Sequence, residues 1–254
     1  MEVTIQRDGL TLRGILEKPD VEKCPIVIMM HGFTGNLGYK PDSLFQLMTE
    51  KLVEQGVATI RFDFNGHGKS DGTLEEMNVF NEICDGIAII EYTRKLPFVT
   101  DIYLAGHSQG GVVSSMLAGY YDDVIQGLTL MAPAATLKND AIKGTLMGNS
   151  YDAVNIPDLI TFGPAGDQHA IGGHYVRIAQ LLPIYETAAV YERPVCVIHG
   201  LDDFIVHPDA SRHYHEVYKN SQLHLIEGEN HNLTVHTDEV IQIATDFFMD
   251  LINH

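Results

Sequence analysis

Ser108 stands at the centre of Gly106-His107-Ser108-Gln109-Gly110. An apolar run, Ile102-Tyr103-Leu104-Ala105, precedes the pentapeptide, and a stretch rich in small and apolar residues, Gly111 to Ala118, follows it. The first reads as a buried strand and the second as a helix. A serine on so tight a strand-to-helix turn is forced toward strained backbone angles, and the flanking glycines let neighbouring chain approach without a clash. Its hydroxyl then projects above the sheet, with the N-terminus of the next helix aimed at developing negative charge. A serine nucleophile needs a general base, and the base needs a group to orient it. Downstream, the strand ending at His199 leads into Gly200-Leu201-Asp202-Asp203, and the final strand into Glu227-Gly228-Glu229-Asn230-His231. Both loops fall at the same ends of parallel strands as Ser108, where open sheets place their sites. The order Ser108, Asp203, His231 fits nucleophilic attack on an acyl carbon. Either neighbouring carboxylate reaches, but the acid three residues after Gly200 is Asp203, which leaves Asp202 to cap the turn. Of the competing histidines, His207 comes at the wrong place in the order and His236 reads as surface.

The oxyanion left by such an attack requires two backbone N–H donors. Gln109, the residue after the nucleophile, supplies one. The turn His31-Gly32-Phe33-Thr34-Gly35 supplies the other, through Phe33.

These residues need a frame of strands that end together. Val3-Thr4-Ile5 and Leu10 to Leu16 alternate around Asp8-Gly9, a hairpin signature. Pro25 to Met30 is a continuous apolar run, a strand buried on both faces. A helix over Leu44 to Gln55, a strand over Val57 to Phe62, and a helix over Asn81 to Leu96 follow. Beyond the Ser108 turn come strands at Ile125 to Met131, Val195 to His199 and Leu223 to Ile226, with helices from Ala210 to Tyr218 and from about Glu239 onward. Strands alternating with helices imply one α/β domain over residues 1–254, with a mostly parallel central sheet flanked by helices. Residues 134–192 break the alternation: glycines and prolines interrupt them and no sheet strand is evident. A connection that long is functional more often than slack, and it reads as a cap inserted over the site.

With 45% hydrophobic residues the chain holds a real core. Its 16 basic and 34 acidic side chains give a formal charge of −18, a surface that repels nucleic acid and anionic membranes and excludes both as partners. The N-terminus carries no basic-then-apolar leader, and no apolar run approaches membrane-spanning length. Cys24, Cys84 and Cys196 form an odd set without a metal or redox spacing; buried free thiols in a reducing, cytoplasmic compartment are expected. Gly68-Lys69-Ser70 ends like a phosphate-binding loop, but Asp63 stands where that motif needs its first glycine, so the stretch reads as structural. His213 and His215 face different ways on a helix and make poor metal ligands. No cofactor or metal is implied.

Taken together the chain resembles the serine esterases of the α/β-hydrolase superfamily over essentially its whole length, and most of all the bacterial cinnamoyl (feruloyl) esterases. The resemblance is carried by His31 to Gly35, Arg61 to Gly68, Gly106 to Gly111, Ala132-Pro133-Ala134-Ala135, Tyr175 to Gln180, and Glu227-Gly228 before His231. It implies hydrolysis of hydroxycinnamate esters (ferulate, caffeate, p-coumarate, chlorogenate) by Ser108, Asp203 and His231, a compact cap gripping the phenolic ring, and a homodimer. Asp140 matches a cap aspartate that reaches the ring hydroxyls in that group, and Met147 stands where some members carry a glutamine. The alternatives are a general short-acyl or monoacylglycerol esterase, a C–C bond hydrolase with the same three residues, and a non-catalytic binding protein of the same fold.

Overall fold

The computed structural model describes residues 1–164, 166 and 168–254. The chain opens with β1 (Glu2–Arg7) and β2 (Leu10–Glu17), an antiparallel hairpin in which Arg7 faces Leu10. Asp8 and Gly9 turn it with φ of 49° and 85°, the doubly left-handed turn that Asp-Gly favours. Then β3 (Cys24–Met30), α1 (Leu44–Glu54), β4 (Ala58–Phe62), α2 (Val79–Thr93), β5 (Val99–His107), α3 (Gln109–Tyr120) and β6 (Ile125–Met131) follow in alternation. The next stretch carries α4 (Leu137–Lys143), β7 (Thr145–Leu146), β8 (Asn149–Ser150), β9 (Leu159–Phe162), β10 (His169–Gly172), α5 (Gly173–Ala179) and α6 (Ile184–Ala188). Alternation resumes with β11 (Val195–Gly200), α7 (Asp209–Val217), β12 (Ser221–Ile226) and α8 (Thr237–Asn253).

Eight strands form one sheet in the order β1-β2-β4-β3-β5-β6-β11-β12. Its first two pairings are antiparallel, and from β4 onward every neighbour is parallel. The central strand β3 shows why both faces must be covered. Ile26, Ile28 and Met30 point into the core beneath α2 and α3, while Val27 and Met29 point into the core under α1 and α8, all nearly or fully buried. Each such side chain contributes roughly 1.5–3 kcal/mol relative to exposure. The expected mostly parallel sheet with helices on both sides is what forms.

Three local expectations need correction. Helix α2 begins at Val79, before Asn81, because Asn78 and Asn81 cap each other: Asn81 N–H donates to Asn78 Oδ1 at 3.1 Å and Asn78 N–H to Asn81 Oδ1 at 2.8 Å. It stops at Thr93, where Lys95 and Leu96 tighten into turn bonds to Tyr92 and Thr93. Cys84 is exposed on α2, off its buried stripe, whereas Cys24 and Cys196 are buried. Within residues 134–192, of which 165 and 167 lie outside the described residues, no strand joins the central sheet, yet two small antiparallel hairpins, β7–β8 and β9–β10, do form. Among the described residues no helix is long and apolar enough to cross a membrane.

Candidate active site

Ser108 lies between the last residue of β5 and the first of α3, with φ 54° and ψ −121°. Strain of that kind persists only where neighbours over-determine it. Here Ser108 N–H donates to the Met131 carbonyl at 2.9 Å, and the Ser108 carbonyl accepts from Gly111 and Ala134, each at 3.0 Å. A Cβ on Gly110 would come within 2.1 Å of the Met30 carbonyl oxygen, so only glycine lets α3 start this close to β3. Gly32 meets the same limit from the other side: a Cβ there would lie 2.8 Å from Ser108 Cβ and 3.2 Å from its Oγ.

The Ser108 Oγ is 2.9 Å from His231 Nε2, and His231 Nδ1 is 2.7 Å from Asp203 Oδ2. The structure thus joins in one line the side chains that the sequence order singled out. Asp203 Oδ1 accepts the Ile205 and Val206 amides, each at 2.8 Å. Burial alone would push the Asp203 carboxyl up, but hydrogen bonds from His199, His231 and the Val206 amide outweigh it and hold the group well below the usual carboxylate range. Asp202 does not cap this turn: its exposed side chain makes no hydrogen bond among the described residues, because Asp203 takes the turn amides itself. His207 and His236 are exposed and away from the line.

The His231 loop is held by two groups. The buried Glu229 carboxylate accepts the amides of Asn230 at 2.6 Å, Val235 at 3.2 Å and His236 at 2.6 Å. His107 Nε2 donates to the His231 carbonyl at 2.8 Å. Burial, with the nearby His231 adding to it, lowers His107 to about 4, so its ring is neutral at pH 7.

Two further neutral histidines fix the turn at residues 31–35. His31 Nδ1 donates to the Gly32 carbonyl at 2.8 Å and its Nε2 accepts Phe64 N–H at 3.1 Å. His67 Nδ1 donates to the Asn65 carbonyl at 3.0 Å and its Nε2 accepts Thr34 N–H at 3.2 Å. Burial pushes His31 down to about 3, helped by His67, and lowers His67 as well. The Phe33 and Gln109 amides donate to no protein group among the described residues, and both residues line the same cavity as Ser108. Below the turn, the Asp63 carboxylate accepts Leu37 N–H and Lys69 N–H, each at 2.8 Å, and the Tyr39 hydroxyl. That is the structural part expected for the Gly68-Lys69-Ser70 stretch.

A cavity of about 960 Å³ opens over Ser108, which is 7% exposed at its floor. Its lining includes Leu137, Tyr175 and Val176, which pack with the core on the α2 and α3 face. It also includes Leu44 and Phe45, which pack with the core on the α1 and α8 face. Asp140, on α4, lines the same cavity, half-buried, and its carboxylate makes no hydrogen bond or ion pair among the described residues. Met147 sits at the rim in the β7–β8 turn, 50% exposed, with φ 47°. Tyr175, from α5, reaches the Ser108 turn: its hydroxyl donates to Gln109 Oε1, and Gln109 Nε2 donates to Glu82 Oε2 at 2.7 Å. Glu82 is fully enclosed, and burial raises its carboxyl well above the normal range despite the bond from Gln109.

Residues 22–155 match the family described as serine aminopeptidase, S33. The chain belongs to this family. Over 99% of its length it superimposes on all of Est1E from Butyrivibrio proteoclasticus, in a structure with ferulic acid bound, at 37% identity and a TM-score of 0.94. It is 28% identical over 130 residues to the dihydrolipoyllysine-residue acetyltransferase component of the acetoin cleaving system of Pseudomonas putida, covering 51% of this chain and 32% of that one. It is 23% identical over 201 residues to the human protein ABHD12B, covering 78% of this chain and 51% of that one. The chain spans about a third of the length of the first curated relatives it matches. The likenesses place the fold in the α/β-hydrolase superfamily and support a carboxylic ester hydrolase.

The supporting side chains were not read from the sequence. Glu82 left a faint signal, since it falls on the Val79, Glu82, Gly86, Ile89 stripe where α2 is otherwise apolar. His31, His67, His199 and Glu229 left none, because each sits in or beside a run whose neighbours explain it as an ordinary turn or core position.

Proposed function

We propose that the protein is a serine carboxylic ester hydrolase acting on hydroxycinnamate esters, with residues 134–192 as a cap over the acid half of the substrate. His231 takes the Ser108 proton as Oγ attacks the ester carbonyl, while Asp203 orients the imidazole and stabilises its cation. The Phe33 and Gln109 amides receive the oxyanion. His231 then gives its proton to the departing alcohol, and water, activated by the same ring, releases the acid from Ser108. The three free cysteines fit a reducing, cytoplasmic setting.

The observation that carries the choice of substrate is the Asp140 carboxylate, which has no hydrogen-bond or ion-pair partner among the described residues and stands in the wall of the cavity that opens over Ser108. An ionised carboxylate is acceptor-only and suits a phenolic O–H at the far end of a flat ring. Such a charge-assisted bond contributes on the order of 1.5–3 kcal/mol, about ten- to a hundredfold. Asp140→Ala is expected to lower kcat/KM for methyl caffeate and methyl ferulate by that factor and to leave methyl cinnamate, which has no ring hydroxyl, nearly unchanged. Equal losses on all three would assign Asp140 to support of the cap. A wild-type preference for p-nitrophenyl butyrate over every cinnamoyl ester would overturn the substrate class.

A further inference from the structure

His199 has no part in the steps above, yet it is fully buried and both its ring nitrogens are engaged. Nε2 lies 3.0 Å from Asp203 Oδ2 and 3.0 Å from the Val206 carbonyl oxygen. Both partners are acceptors, so Nε2 carries the hydrogen and shares it between them. Nδ1 lies 2.6 Å from Ser211 Oγ, at the first turn of α7. Asp203 therefore receives donors on every side: Ile205 and Val206 amides at Oδ1, His199 and His231 at Oδ2. Swinging the carboxylate about its Cβ–Cγ bond would break all of these bonds at once.

We propose that His199 is a positioning residue for the Asp203–His231 pair. Its Nε2–H locks Oδ2 onto His231 and draws off part of the carboxylate's charge, and so sets how firmly Asp203 holds the imidazolium. The proposal rests on the ester-hydrolase reading above. Its competitor is a plain structural pin, in which His199 merely ties the residue 203–206 turn to α7.

The two differ in pH dependence. Apart from Asp203, the groups facing His231 are Ser108 and the His107 ring, centroids 5.2 Å apart. Those facing His199 are Asp203, the Val206 carbonyl and Ser211, with the His107 ring close enough to interact with it electrostatically. The Glu229 carboxylate is turned to its own loop amides, and Asp209 and Arg212 of α7 pair with each other at the surface. With the His199 donor gone, Asp203 is more negative and holds the imidazolium more firmly. The acid limb of the rate profile then moves to higher pH.

The test measures kcat, KM and the pH profile on p-nitrophenyl acetate, together with Ser108 labelling by a fluorophosphonate, for four variants. His199→Phe keeps a ring without a donor. His199→Gln places a neutral amide donor near the lost Nε2–H, and His199→Asn is too short to reach Asp203. Ser211→Ala removes only the other partner. Phe and Asn are expected to lose about tenfold or more in kcat at nearly constant KM, with the acid limb raised. Gln is expected to recover to within about threefold of wild type, and Ser211→Ala to leave the limb in place. If Phe does not fold, the Gln–Asn difference decides alone. An acid limb unmoved in Phe and Asn, or Gln no better than Asn, overturns the proposal in favour of the pin. A wild type inert to both reagents would overturn the ester-hydrolase reading along with it.

Discussion

Asp203→Asn exchanges a group that accepts on both oxygens for one that accepts on a single side. All of its neighbours are donors: Ile205 and Val206 N–H on Oδ1, His231 and His199 on Oδ2. With the amide oxygen toward the histidines, the new NH₂ group faces two buried N–H groups that lose their acceptor. At about 1–3 kcal/mol for each donor left unmet, the cost is roughly 2–6 kcal/mol, a large share of the ~5–15 kcal/mol that holds a typical domain together. With the amide turned over, the NH₂ group faces His231 Nδ1. The imidazole must then accept there and carry its hydrogen on Nε2, pointing at Ser108, and it is no longer a base. Either orientation removes the proton acceptor or the fold around it, so kcat falls by about four orders of magnitude, the loss seen for an equivalent change in a well-studied triad. The assay is kcat on p-nitrophenyl acetate with urea unfolding of the same preparations, and Asp202→Asn, exposed and unbonded, as the comparison. Asp203→Asn within about tenfold of wild type, or matched by Asp202→Asn, would refute the reasoning.

Gly32→Ala is expected to cost about a hundredfold in kcat with little change in unfolding midpoint, because its methyl would press on Ser108 Cβ at 2.8 Å and displace the nucleophile; full activity in the purified variant would show that the turn yields freely. His31 and His107 hold folded values near 3 and 4 against about 6.5 unfolded. Between these limits the unfolded chain binds more protons, so each makes stability fall by up to about 1.4 kcal/mol per pH unit as pH drops below 6.5. Urea midpoints at pH 7.5 and pH 5 check this, with the decline expected to be shallower in His107→Gln; equal midpoints at both pH values would show the rings to be unburdened.

What was legible in the sequence is what repeats or what is local. β3 announces itself by an unbroken apolar run, the β1–β2 turn by Asp-Gly, and Ser108 by glycines that close backbone approach demands. Asp203 and His231 followed because chain order fixes which strand ends meet. The small hairpins of residues 134–192 escaped because strands as short as Thr145–Leu146 are too brief to show a period of two. Asp202 was misread as a cap because which of two adjacent carboxylates takes the turn amides depends on the histidines packed behind them, and His199 comes from a strand whose apolar pattern hides it.

The cavity over Ser108 is lined by side chains that belong to two separate cores, one on each side of the sheet. A molecule that fills the cavity therefore rests on both foundations. Exchanges near Leu44 and Phe45 can reshape one part of the wall without repacking the part near Leu137 and Val176. Sites with no shared neighbours combine their effects additively, so the two parts of the wall are free to drift as independent characters. Tyr175 differs from these: its hydroxyl donates to Gln109 Oε1, so a change there reaches the Ser108 turn as well as the wall.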